Sequence, residues 1–230
     1  MTAASPQTRN RQLVAWFASV AAVLWIGSYL MHPPGEGESI ARTMQVVTDH
    51  TAAWRYSHLG IAAGYLSAGL AAVLRLRTAP APTGPSRVAW IAVAVAAVPL
   101  VGYLVIESTV AVQAALASDL DGFQLWYGTV ATWLWRLSWP VFFAGLATLA
   151  MQARSSGTLR RFSTLAAVGA GWAVVAPILT VTGPATLSLS AFITPIIPLV
   201  WLTVLTAGRA RTATTAPADA AASRRLASVI

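Results

Sequence analysis

Glu107, Arg136, His58 and Asp49 are the side chains of this sequence best suited to proton or charge chemistry beside long apolar runs. Arg136 is the most demanding. It lies in TWLWRLSWPVFF, residues 132–143, a stretch otherwise made for lipid. A charge near mid-bilayer costs at least about 2.5–3.5 kcal/mol on insertion scales and is normally paired, facing protein or a watery cavity. Pro140, four residues on, has no N–H to give the Arg136 carbonyl. Steps of three and four residues put Trp126, Thr129, Trp133, Arg136, Pro140 and Phe143 on one helical face, with Trp135 and Trp139 on a neighbouring one. Glu107, after VPLVGYLVI, is the expected counter-ion. Arg136 lies about two turns, or ~10 Å, below the surface where Glu107 sits, a gap that the long arginine stem largely covers by reaching outward.

These residues suit a hydrophobic substrate of isoprenoid or lipid type. A carboxyl group desolvated among tryptophan rings has its pKa raised. It can then protonate an alkene or epoxide while the rings stabilise the resulting cation, which is terpene-cyclase-like logic. An ion pair with Arg136 works against this, because it favours the carboxylate. The expected catalytic set is Glu107, Arg136, His58 and Asp49, and the substrate walls are Trp126, Trp133, Trp135, Trp139, Tyr103 and Thr194. A non-catalytic small transporter or assembly partner is the main alternative. A further one is haem b held by His32 and His58 at the ends of consecutive helices, or a divalent metal held in the first outer loop by histidines and an aspartate. No HxH or HxxxH spacing prepares a metal site, so no cofactor is expected. The absence of cysteine excludes disulfides, thiolate metal sites and Cys nucleophiles.

The elements that must position these groups are membrane helices. The 230 residues are 57% hydrophobic and only 10% charged, against about 25% charged in a soluble domain. A bilayer crossing needs roughly 20 apolar residues. Six segments qualify, at about 13–31, 57–75, 88–107, 125–151, 162–182 and 186–207, predicting an all-α polytopic bundle between a 1–12 tail and a disordered 209–230 tail. The uncharged run of the second, LGIAAGYLSAGLAAVL, is short, so the span must take in Tyr56, Ser57 and His58. No small-residue cleavage site follows the first, which reads as a retained span.

Twelve of the fifteen arginines (9, 11, 75, 77, 87, 154, 160, 161, 209, 211, 224 and 225) flank one side of these spans; Arg42 and Arg55 flank the other. By the positive-inside rule both termini are cytoplasmic. The +8 balance is thus an orientation signal, and no nucleic-acid partner is expected. The partners are the bilayer and a hydrophobic small molecule; the oligomeric state is open. The outer side receives His32, His50, His58, Glu36, Glu38, Asp49, Asp119 and Asp121.

Gly60, Gly64, Ala68 and Ala71 or Ala72 form a small-residue ridge that lets helix backbones approach, which places the second span centrally. In the outer loop 32–56, Ile40, Met44, Val47 and Trp54 recur at helical spacing opposite Arg42, Gln45 and Asp49, predicting an amphipathic helix on the surface, a candidate lid. Pro99, Pro177, Pro195 and Pro198 interrupt the third, fifth and sixth spans, and Ser188, Ser190 and Thr194 make the last one's outer half polar. No internal repeat supports a transporter of inverted halves. The succession MHPPGE, WRYSHLG and RSSGTLRRF over roughly 12–208 resembles six-helix membrane proteins of high-GC actinobacteria, a family without an assigned activity. That resemblance implies fold and membrane location, and no site residue.

Overall fold

A computed structural model describes residues 5–34, 39–179, 194–208 and 210. The described chain is helical throughout: α1 Pro6–Leu30, α2 Ile40–Asp49, α3 Thr51–Arg77, α4 Gly84–Ser108, α5 Val110–Leu116, α6 Leu120–Phe123, a π-helical segment Gln124–Ala131, α7 Thr132–Ser155, α8 Arg160–Leu179, and α9 Ile196–Gly208. Among the described residues, α1, α3, α4 running on into α5, and α6 running on through the π segment into α7 are long and apolar enough to cross a membrane. This suits a multi-pass membrane protein. The expected sixth span falls partly on 186–193 and the expected tail on 209–230; these, with Ser188, Ser190, Glu36 and Glu38, lie outside the described residues, apart from the isolated Ala210.

Local chemistry sets the helix ends. Ser5 caps α1 by accepting from the Thr8 N–H at 3.3 Å, with Pro6 in the first turn, where a missing N–H costs nothing. Ser39 caps α2 in the same way, accepting from Arg42 N–H at 3.1 Å. The predicted amphipathic helix therefore exists, burying Thr43, Val46 and Val47. Trp54, however, belongs to α3, which starts at Thr51 rather than near residue 57. His58 is accordingly two turns inside a helix, not at its mouth.

Neighbours in sequence pack as neighbours in space: α1 on α3, α3 on α4, α4 on α7, and α7 on α8. Helix α9 joins α8 to α1. Trp201 donates its indole N–H to Ser163 on α8 at 3.0 Å, and Thr203 donates to the Ala18 carbonyl on α1 at 3.0 Å. Large aromatics fill the interior, with Tyr65 edge-on to Phe142 (5.1 Å, 87°) and Trp139 donating to the Ala173 carbonyl at 2.7 Å.

The small-residue ridge of α3 does what its composition predicts. A side chain on Gly60 would overlap the Ser28 hydroxyl, and one on Gly64 would come within 3.1 Å of the Ala21 carbonyl on α1. Gly145 likewise lets α7 approach α4, since an added Cβ would stand 2.9 Å from the Ala89 carbonyl and from Val93. Gly145→Val must push two helices apart and is expected to destabilise the bundle by about 1–3 kcal/mol, read from unfolding in mixed micelles.

The bundle has two chemically distinct ends. One carries Arg9, Arg11, Arg75, Arg77, Arg87, Arg154, Arg160 and Arg161 at helix starts and finishes; the other gathers His32, His58, Glu107, Asp119 and Asp121. Over the histidine end, α2, α5 and α6 build a second small core around Trp54 of α3, from Val46, Val47, Ala111, Val112, Ala115 and Phe123.

Candidate functional site

Glu107 lies in the last turn of α4, and the chain breaks at Thr109 before resuming as α5. The final carbonyls of a helix have no partner within it. The Glu107 carbonyl takes one from outside, the indole N–H of buried Trp54 at 3.1 Å. That bond sets the rotation of both helices and aims the Glu107 carboxyl group at His58, one turn after Trp54 on α3. Glu107 Oε2 stands 3.1 Å from His58 Nε2, and both side chains are buried.

The other ring nitrogen fixes the protonation pattern. His58 Nδ1 lies 2.8 Å from the Trp54 carbonyl. A carbonyl oxygen only accepts, so Nδ1 carries the hydrogen. On the Nε2 side one further proton lies between nitrogen and carboxyl. Either an imidazolium donates to a carboxylate, or a carboxylic acid donates to a neutral imidazole. The pair is electrically neutral in both forms, which is why it tolerates burial, and a proton can pass between them without net charge appearing.

Aromatic rings wrap the pair. Trp54 stacks on the His58 ring at 4.3 Å and 24°. His32, just past α1, places its ring 5.0 Å from His58 and 5.3 Å from Trp54 while its Nδ1 donates to the Pro33 carbonyl at 3.0 Å. Tyr127 of the π segment lies 6.1 Å from Trp54 and stacks on Phe123. The half-buried His32 is thus the neighbour that links the buried pair to the edge of the bundle.

Of the expected site, the structure unites Glu107 and His58 and separates the rest. Arg136 is exposed, on an outward face of α7 with Trp133, Leu137 and Val141. The expected Arg136–Glu107 ion pair is therefore corrected to His58–Glu107. An inward guanidinium would need a carboxylate, and Glu107 is engaged by the histidine, whereas an outward one can reach along the helix toward water.

The expected face does not hold either. Between Gln124 and Ala131 the turns are π-helical. Each such turn takes in more than the 3.6 residues of an α-helix, so Trp126 drops out of register with α7. Trp126 packs in the cap core, Trp133 points outward, Trp135 packs partly buried at the edge of the main core, and Trp139 is fully buried within it. The four tryptophans do not form one wall. Tyr103 is buried one turn before Glu107 on α4, Asp49 is exposed at the end of α2, and Thr194 lies against Gly169, halfway along α8. Arg136→Leu is expected to leave folding stability unchanged within about 0.5 kcal/mol or to raise it, as for a surface position. Melting curves of both proteins in detergent check this.

The haem alternative places His32 and His58 as ligands. His58 Nδ1 is held by the Trp54 carbonyl and Nε2 faces Glu107, so iron ligation through His58 would require the Glu107 carboxyl group to move aside. Among the described residues no three His, Asp or Glu side chains are placed to hold a metal ion. The residues missed by sequence reasoning are Trp54, His32 and Tyr127 as neighbours of the pair. One signal for them was present: Trp54 and His58 are four residues apart, the spacing of stacked side chains on one helix face.

No family model matches the chain, and neither a curated protein nor a solved structure matches it.

Proposed function

We propose that the chain is a multi-pass plasma-membrane protein, its arginine end in the cytoplasm, in which the Glu107–His58 pair gives and takes a proton for a hydrophobic small molecule. The orientation is supported by the arginine asymmetry. One observation carries the proton role: a buried carboxyl and a buried imidazole 3.1 Å apart, the far side of the imidazole locked by a backbone carbonyl. A general acid–base group must be positioned within hydrogen-bond reach and hold its proton in a defined place, and this pair does both. Helix α2 with α5 and α6 is the cover that keeps the pair dry. The scattered tryptophans give cation cyclisation little support, so the reading is confined to proton exchange with an apolar ligand of isoprenoid or lipid type.

The test compares apolar molecules retained by the purified full chain, extracted and identified by mass spectrometry, for wild type, Glu107→Gln and His58→Gln. A carboxamide keeps the shape of the acid and cannot cycle the proton. The expected result is a changed ratio of two related molecules, substrate accumulating over product, in folded Glu107→Gln protein. Identical molecules in identical ratio in both variants would reduce the pair to a fastening between helices and leave the transporter or assembly-partner role.

A further inference from the structure

The opposite end of the bundle holds a hollow of about 230 Å³ in which Arg11 and Arg75 stand among Val14, Ala79 and Pro80. One guanidinium comes from the second turn of α1 and the other from the last turn of α3. Neither swings freely. Arg11 Nη2 donates to the Ala79 carbonyl at 3.0 Å, and Arg75 Nη1 donates to the carbonyls of Thr78 and Pro80 at 3.1 and 3.0 Å. The loop after α3 therefore fixes both cations on one rim. Among the described residues, the lining is Arg11, Val14, Arg75, Thr78, Ala79, Pro80 and Thr206, without a carboxylate. The acids among the described residues, Asp49, Glu107, Asp119 and Asp121, all lie at the histidine end or in its cap.

We propose that this hollow seats the phosphate of an anionic phospholipid, with the start of its acyl chains against the apolar wall. Guanidinium forks match phosphate oxygens in geometry and charge. Basic pockets between membrane helices at headgroup level are a recurring way to hold anionic lipids. Two fixed cations at the end of apolar spans, opening beside apolar side chains, suit an amphiphile better than a soluble anion. The proposal is independent of what the histidine end does.

The full chain, purified in mild detergent, is offered phosphatidylglycerol, phosphatidylcholine or inorganic phosphate, and bound lipid is counted by native mass spectrometry. Phosphatidylglycerol is expected to be retained over phosphatidylcholine. Each arginine near the surface contributes enough that Arg11→Gln lowers retention about fivefold and Arg11→Gln with Arg75→Gln about thirtyfold. Arg11→Gln is the decisive variant, because its side chain holds only one loop carbonyl and the fold does not hang on it. Arg87→Gln, outside the hollow, leaves retention unchanged. Three results overturn the proposal: no preference for the anionic lipid, an equal loss in Arg87→Gln, or inorganic phosphate that binds as tightly as the lipid and displaces it.

Discussion

Glu107→Ala is expected to lower the stability of the bundle by about 3–5 kcal/mol, the cost of removing one partner from a buried charged pair. Three further variants give that number its meaning. Glu107→Gln keeps an N–H that can donate to His58 Nε2, so it retains most of the bond and should cost only about 0.5–1.5 kcal/mol, the net worth of a single hydrogen bond. His58→Leu strands the carboxyl group and should cost as much as Glu107→Ala. Glu107→Leu with His58→Leu removes both partners at once, and a buried pair replaced by apolar residues of similar volume is often neutral or even stabilising. The expected pattern is two large single losses and a small double one. Reversible unfolding in mixed micelles measures all four. Additive losses in the double variant would show that the 3.1 Å contact carries no coupling and that each residue merely fills space.

This pattern also separates stability from function. Glu107→Gln is expected to stay folded while losing the transferable proton, so activity lost in a stable protein belongs to chemistry. If Glu107→Gln unfolds as readily as Glu107→Ala, the carboxylate serves the fold through charge.

Much of the framework was legible because membrane helices write themselves in composition. The end of α1 and both ends of α4 follow from apolar runs, whereas α1 starts at Pro6, inside the expected tail, and α7 at Thr132, after the π segment. The ridge of Gly60 and Gly64 predicts a close crossing that the Ser28 and Ala21 contacts realise. Helix α2 was visible in its apolar spacing. The site was only half legible. Glu107 and His58 both stand out in the sequence as border residues, yet the sequence points Glu107 to Arg136, because an intramembrane arginine raises the sharper demand. Two physical facts hid the true pairing. Helix α3 begins a turn and a half earlier than the uncharged run suggests, which carries Trp54 and His58 into the helix and turns both toward α4. The π-helical segment then breaks the register that had joined Trp126 to Arg136, since i→i+5 bonding leaves no periodic mark in a stretch of tryptophan, tyrosine and threonine.

Trp54→Ala should be as damaging as the loss of Glu107, by about 3–5 kcal/mol, the usual cost of emptying a buried tryptophan site. Three functions end together in that change. The indole is fully buried in the cap core with Val46, Val47 and Phe123. Its N–H satisfies the last-turn carbonyl of Glu107. Its face covers the His58 ring at 4.3 Å. Trp54→Phe isolates the second of these, because an aromatic face remains while the donor is lost. A buried carbonyl left without its partner costs about 1–3 kcal/mol, and the phenylalanine variant is expected to fall in that range. Hydrogen exchange distinguishes the consequences by place. In Trp54→Ala, amides of α2 and α5 should exchange faster than those of α3 and α4, because the cap loses its anchor while the bundle keeps the packing of Tyr65, Trp90 and Phe142. In Trp54→Phe the cap should keep most of its protection, and the change should concentrate at the α4–α5 break around Thr109, where the Glu107 carbonyl has lost its donor. Uniform loss of protection across all helices in either variant would mean that cap and bundle fold as one unit, and that the site has no separately movable cover.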